Sequence, residues 1–427
     1  VETDRVRYLT LITLAACHPS TTTGRVRSVD LPISSVVTVV HTLTLSEGFA
    51  IRGALTERDG RLYGLAGEAG PNSSPNCQST ANWQTIEHTS HCPGSIFSLR
   101  LDGSDFRVDH AFSQLDDHRK NVDGYHPYGT LSLGSDRRLC GAAQMGGSPP
   151  IIEGFVVPGY GTLFCYDPES GVFETLHSFF DQPRAHDGEF PMGALAVDAA
   201  GDVFGTTKDG GATSSGTIYE WSPGGAFRFS PLPGISYGGP VLSGGLLHLT
   251  TWFGVAAEGQ YVVVDPVTLT PRVVAEFPSF TMNEHGTDNT PIQEPIALSD
   301  GEVLTTREFG GSHGTGVVAL LDAHSGIKIV FTADDIPLDV TPRFSNLTGG
   351  MLNGRAAEGR DGMIYFATQY GGAAGTGGVV RMARDGSHAQ LIWSWPDAAY
   401  PYGGLTAASD GAIYGVTFTG LIYRVEL

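Results

Sequence analysis

One phrase recurs seven times along this chain, and the repetition restricts the fold more than any other feature. Its parts, not all present in every copy, are a Gly-x-Leu-like start, a turn centred on Asp-Gly, a strand ending in Tyr-Gly or a variant, a Gly-Gly loop and then a Gly-Thr strand. The first reads Gly53-Ala54-Leu55, Asp59-Gly60, Leu62-Tyr63-Gly64 and Gly94-Ser95-Ile96-Phe97. The third reads Gly193-Ala194-Leu195, Val203-Phe204-Gly205, Gly210-Gly211 and Gly216-Thr217-Ile218-Tyr219. Copies begin near residues 53, 129, 193, 239, 295, 354 and 403, the one from Gly239 being the most degenerate.

Four short strands per copy, joined by tight turns, describe a β-propeller blade. The reading is therefore an all-β, seven-bladed propeller. With 58 glycines among 427 residues the chain is a poor helix former, since glycine costs about 1 kcal/mol relative to alanine inside a helix. The seventh copy stops at Leu427 after three strands, and Val36–Leu43 has the pattern of the missing fourth. Placed as the outer strand of the last blade, this N-terminal segment closes the ring and removes an open edge. The expected organisation is a leader and tether over residues 1–32 and one propeller domain over 33–427.

The multi-copy Leu-Tyr-Gly, Gly-Gly, Gly-Thr phrase resembles the bacterial GloVer tandem-repeat proteins, which are carried with a choice of surface anchors. The resemblance covers the chain from about Val36 to Leu427. It implies a secreted or surface-attached propeller and brings no catalytic motif that maps onto these residues.

The first residues agree with an extracytoplasmic location. Apolar Leu9–Ala16 ends in Leu14-Ala15-Ala16 before Cys17, similar to a bacterial lipoprotein signal, which makes Cys17 a lipidation candidate and implies an outer-membrane lipid anchor. Ordinary secretion and a plain terminus are the alternatives. No later stretch reaches the roughly 20 apolar residues of a membrane span. Setting Cys17 aside leaves an even number of cysteines, and the expected pairs are Cys77 with Cys92 and Cys140 with Cys165. Cys77, His88, His91 and Cys92 also offer two sulfurs and two nitrogens of the kind tetrahedral zinc accepts, so a structural zinc is the alternative to the first disulfide. Acidic loops offer oxygen ligands for calcium, but none has the twelve-residue calcium pattern.

Forty-five acidic residues against 25 lysines and arginines give a net charge of −20, with no basic run, which excludes nucleic acid and anionic membranes as natural partners. An anionic polysaccharide stays open, because a few cations focused in a cleft can hold a carboxylate locally. No Gly-x-Ser-x-Gly elbow, P-loop, His-Glu-x-x-His helix or dinucleotide fingerprint is present.

In a propeller the second-to-third loops and the fourth-to-first connections share one face around the axis, and the site is expected there. The connection into the second blade places His126 and Tyr128 at the channel mouth as candidate catalytic groups. Lys208-Asp209, Trp252-Phe253, Arg307-Glu308 and Gln369-Tyr370 precede the loop glycines of successive blades. They make Lys208, Trp252, Arg307, Glu308 and Tyr370 candidate substrate-binding residues. Aromatic faces stack on sugars, and a cation that neutralises a uronate acidifies its C5 proton, so the pattern points to a polysaccharide lyase. A glycosidase would draw its two carboxylates from Glu189, Glu294 and Glu308. A noncatalytic carbohydrate-binding or adhesion propeller and a protein-interaction scaffold are the other readings. His41, His110 and His177 recur before Thr, Ala and Ser in fourth strands and are read as structural.

Overall fold

The computed structural model describes residues 37–73, 92–116, 120–147, 159–179, 187–252, 259–278, 294–308, 310, 315–333, 352, 354–372, 375–396, 399 and 401–427. They form seven antiparallel sheets arranged as propeller blades. The first blade is Thr56–Arg58, Arg61–Ala66, Ser95–Arg100 and Arg107–Ala111, from the axis outward. The degenerate fourth copy still builds a full sheet from Val241–Ser243, Leu246–Thr250, Gln260–Asp265 and Thr270–Glu276. In the second blade the innermost position is shared by Tyr125–Pro127 and Ser132–Leu133, both paired to Leu139–Met145.

The last blade is closed as the repeat count requires. Val37–Thr42 pairs antiparallel with Leu421–Val425, Val37 facing Val425 and Thr42 facing Leu421. The two ends of the described chain are therefore hydrogen-bonded into one sheet.

The core lies between blades. Second and third strands are buried on both faces, as in Arg61–Ala66 and Ser95–Arg100, while fourth strands such as Arg107–Ala111 stay partly exposed. Each interface carries its own apolar cluster: Tyr63, Leu65 and Ile96 meet Leu131, Leu139 and Phe164 between the first two blades, and Leu62, Phe97 and Leu99 meet Tyr414, Val416 and Ile422 across the closure. Burial of this kind contributes about 25 cal/mol per Å² of apolar surface.

The three repeated histidines have the structural role read from the sequence. His41 stacks on Phe106, His110 on Phe173 and His177 on Phe227, at 4.2, 3.9 and 3.7 Å between ring centroids, each reaching an aromatic of the next blade. The last two also contact Asp123 and Asp187 at 3.1 and 2.8 Å. Cys140 and Cys165 form a buried disulfide between directly opposed residues of neighbouring strands. Cys92 is disulfide-bonded too, and a disulfide sulfur has no thiolate to give a metal. Cys77, His88, His91 and the lipidation candidate Cys17 lie outside the described residues.

Close to the axis the chain has no room for side chains. A Cβ on Gly53 would strike the carbonyl of Gly129, one on Gly129 would come within 2.6 Å of Gly193, and one on Gly193 would strike Gly239. On the far side Gly354 packs on Gly403, and Gly403 on Gly53. Six of the seven blade entries are thus glycines in a ring of touching backbones, and the fifth is Glu294. Its buried carboxylate accepts hydrogen bonds from the Thr130 backbone N–H at 3.0 Å and from the Thr130 hydroxyl. It also accepts one from the Ala194 N–H and faces the charge of Arg355, while burial raises its pKa. Since Thr130 and Ala194 lead into the second and third blades, the Glu294 side chain crosses the axis and closes it. Glu294 is therefore occupied in holding the ring, which leaves it no free oxygen for a glycosidase role. Below the ring lies a cavity of about 710 Å³ lined by the innermost strands of all seven blades.

Gly53 has ordinary backbone angles, so Gly53→Ala tests crowding alone. It is expected to lower unfolding stability by about 3 kcal/mol, the upper range for overpacking. Urea denaturation checks this; a loss below about 0.5 kcal/mol, the scale of a neutral surface change, would contradict it.

Candidate functional site

Two sets of residues meet above the glycine ring. One immediately precedes each ring position: Arg52, Tyr128, Met192, Gly238 and Tyr402 among the described residues. The other comes just after the last rung between second and third strands: Gly67, Gln144, Lys208, Trp252, Glu308, Gln369 and Phe418. The register fixes this second set, because Ala66 pairs with Ser95, Ala143 with Thr162, Arg307 with Val317 and Thr368 with Gly378 as the last rungs of equivalent ladders. Each set interleaves with the other. Tyr128 lies over Gly67, where even a methyl group would collide with its ring, and Gln144 Nε2 lies 3.6 Å from Met192 Sδ. Tyr237, next to Gly238, has Lys208 Nζ 5.6 Å above its ring and meets Trp252 edge-on at 5.1 Å.

The electrostatic centre is Arg52. Its guanidinium carbon sits 4.3 Å over the Tyr128 ring and 5.7 Å from that of Phe418. The Tyr128 hydroxyl donates to Glu68 Oε1 at 3.1 Å. Burial pushes the Glu68 carboxyl up, against the opposing pull of Arg52 and of the Tyr128 hydrogen bond. Burial also drives the Tyr128 phenol well above its ordinary value, and the Glu68 charge adds to the effect. Tyr128 is thus held as a neutral donor to an acid displaced toward neutrality.

A second acidic group lies on the same floor. Glu308 is 1% exposed, neither carboxylate oxygen has a hydrogen-bond partner, and burial raises its pKa well above the usual carboxylate range. The Tyr402 hydroxyl is also buried and unpartnered. Its pKa is raised by burial first and then by the charge of Glu308, with Arg52 opposing, which puts the three groups in one neighbourhood. Tyr402 packs on Phe418 at 5.9 Å between centroids.

The structure gathers some of the expected residues and separates others. Lys208, Trp252 and Glu308 share one repeat position. Arg307 is one residue earlier and points into the interface with the fourth blade, 4.0 Å over the Phe277 ring and against Gly259, with 2% exposure. Tyr370 stands one position beyond the shared set, 3.4 Å from the amide of Gln369. His126 is buried behind the floor between Tyr125 and Tyr128, at 4.1 and 5.6 Å between rings, with a left-handed φ of 54°. Sequence reasoning missed Arg52, Glu68, Tyr237, Tyr402 and Phe418. The available signal was the column before the ring glycine, where Tyr128, Met192 and Tyr402 are matched by Arg52. Among the described residues no three His, Cys, Asp or Glu side chains converge as a metal site, and no helix is long and apolar enough to cross a membrane.

Comparison with known proteins supports the architecture. Virginiamycin B lyase from Staphylococcus aureus superposes with a TM-score of 0.52 at 13% identity, over 92% of this chain and 99% of that one. TolB from Acinetobacter baumannii gives 0.38 at 13% identity, over 70% of this chain and 63% of that one. A Bacteroides thetaiotaomicron protein of unknown function gives 0.40 at 11% identity, over 93% and 99%. At 13% identity the likeness to the lyase is one of fold alone. No protein-family profile matches the chain, and no curated protein does.

The raised pKa of Glu308 has a consequence for stability. The folded state holds this proton more tightly than the unfolded chain, so stability falls as pH climbs above the ordinary glutamate value of 4.5 toward the folded pKa. Glu308→Gln removes that loss. The variant is expected to gain on the wild type by up to about 1.4 kcal/mol per pH unit through this window, measured by denaturant unfolding at a series of pH values. A difference independent of pH would mean that Glu308 is ionised in the folded protein.

Proposed function

We propose that this propeller is an extracytoplasmic enzyme acting on an acidic polysaccharide by β-elimination at a uronate. The observation that carries the reading is the stack of Arg52 over Tyr128 with the Tyr128 hydroxyl bonded to Glu68. Arg52, which acts on Glu68, and Lys208, 3.4 Å from Asp209, are the floor cations to which a uronate carboxylate would pair. Neutralising its carboxylate acidifies the C5 proton. Tyr128 Oη takes that proton as its own passes to Glu68 Oε1. The C4–C5 double bond forms, the C4–O4 bond breaks, and the departing oxygen takes a proton back from the pair, which returns to its starting state. Burial raises the Glu68 carboxyl toward neutrality, which suits it to take and return a proton, while the phenol, raised away from that range, passes the proton along its hydrogen bond and stays neutral. His126 supports the Tyr128 ring from behind. Tyr237 and Trp252 supply faces on which sugar rings stack.

The proposal includes membership of the GloVer tandem-repeat family and attachment to the cell surface, supported by the repeat phrase falling once in every blade. A noncatalytic glycan-binding propeller is the second reading. The 1% exposure of both His126 and Tyr128 favours it, since Lys208 and Trp252 are then the open contacts.

Incubation with pectic, alginate and glycosaminoglycan polysaccharides is expected to generate the ultraviolet absorbance of an unsaturated uronate. Tyr128→Phe should lower the rate by about 10²–10⁴-fold, the usual contribution of an acid–base group. Binding without any absorbance change across the panel would establish the second reading.

A further inference from the structure

Two buried groups on the funnel floor have hydrogen-bonding capacity that the protein does not use. Neither oxygen of Glu308 has a partner, and neither does the Tyr402 hydroxyl. Burying such groups unpaired is costly, and a folded protein keeps them where a ligand or ordered solvent completes them. They are not isolated. Tyr402 packs on Phe418, Phe418 faces the Arg52 guanidinium, and Arg52 covers Tyr128. We infer that Glu308, Tyr402 and Arg52 form a receptor for a single carboxylate of the ligand, with the Glu308 carboxyl and the Tyr402 phenol as neutral donors beside the Arg52 cation.

This rests on the proposed action upon a uronate and names the residues that would recognise it. A protonated carboxyl presents one O–H, a phenol presents another, and a guanidinium adds charge and fixed N–H donors. Three donors with one positive charge match an anionic acceptor. A carboxylate can accept from the two hydroxyls and from the guanidinium together, whereas an ammonium group would meet Arg52 as a like charge and has no acceptor to offer the donors. The acid must keep its proton for the receptor to work, and burial favours that state. The titratable group that faces Glu308 among the described residues is Tyr402, which also feels Arg52 and Tyr370, while Arg307 beside Glu308 in the chain is turned toward the fourth blade.

Calorimetric titration of the whole protein with tri-galacturonate, and with the neutral galactose trisaccharide, tests the inference. The wild type should bind the uronate at least about tenfold more tightly than the neutral sugar, and uronate affinity should fall by up to about tenfold per pH unit as Glu308 ionises. Glu308→Gln, which keeps the shape without the ionisation, should bind at neutral pH with that pH dependence flattened. Tyr402→Phe should weaken uronate binding about fivefold or more while leaving the neutral sugar unaffected. Equal affinity for the two sugars, a wild-type affinity that does not vary with pH, a Glu308→Gln profile as steep as the wild type's, or no uronate binding would overturn the receptor. Binding as expected without elimination would refute the lyase reading and keep the receptor, whereas elimination with KM unchanged in both variants would do the reverse.

Discussion

Everything in this propeller is arranged around a waist where seven chain segments touch. A ring of backbones in van der Waals contact has no space for a Cβ, so its members are glycines, and the one exception uses its length to tie opposite sides together. Glu294 does this from the fifth blade through Thr130, whose hydroxyl also accepts the Ala54 N–H at 2.8 Å. Three blades therefore meet at one carboxylate. The arrangement closes the axis above the cavity lined by the innermost strands.

That waist determines where chemistry can occur. Residues just before the glycines are held above the ring, and residues at the ends of the second strands are packed between them. Arg52, Tyr128 and Tyr402 reach the floor by the first route, and Lys208, Trp252 and Glu308 by the second. The second set leaves paired second strands, and the first is fixed by the backbone contacts of the glycines that follow it, the kind of support a preorganised site needs. The acidity of the whole molecule and the positive charge on the floor are compatible because burial and short distance decide the local field. Outer stability comes from a different device, the stacking of a histidine in one blade on a phenylalanine of the next.

The fold was legible because its signals are backbone signals. Asp-Gly turns, paired glycines and a missing fourth strand each express a constraint on φ, spacing or edge pairing, and these constraints act within a few residues. Val36–Leu43 was recognisable as the closing strand for the same reason, its observed limits being Val37–Thr42. The site was only partly legible. Lys208, Trp252, Glu308 and Tyr128 were found from their place beside glycines. Arg307 was grouped with them because adjacent strand residues look alike in sequence, although the pleat sends neighbours to opposite faces. Arg52 and Tyr402 escaped notice because their significance depends on which blades the ring brings together. Nothing in the sequence announces that Glu308 and Tyr402, separated by a blade, share one neighbourhood.

The central claim is that the floor above the glycine ring receives an acidic sugar. A crystal structure with bound tri-galacturonate tests it most directly. The account predicts one uronate ring above the glycine ring, its carboxylate within hydrogen-bonding distance of Tyr402 and Arg52 and an adjacent ring against Trp252. Density for the sugar in the lower cavity, or on the outer face of a blade with the floor empty, would contradict it.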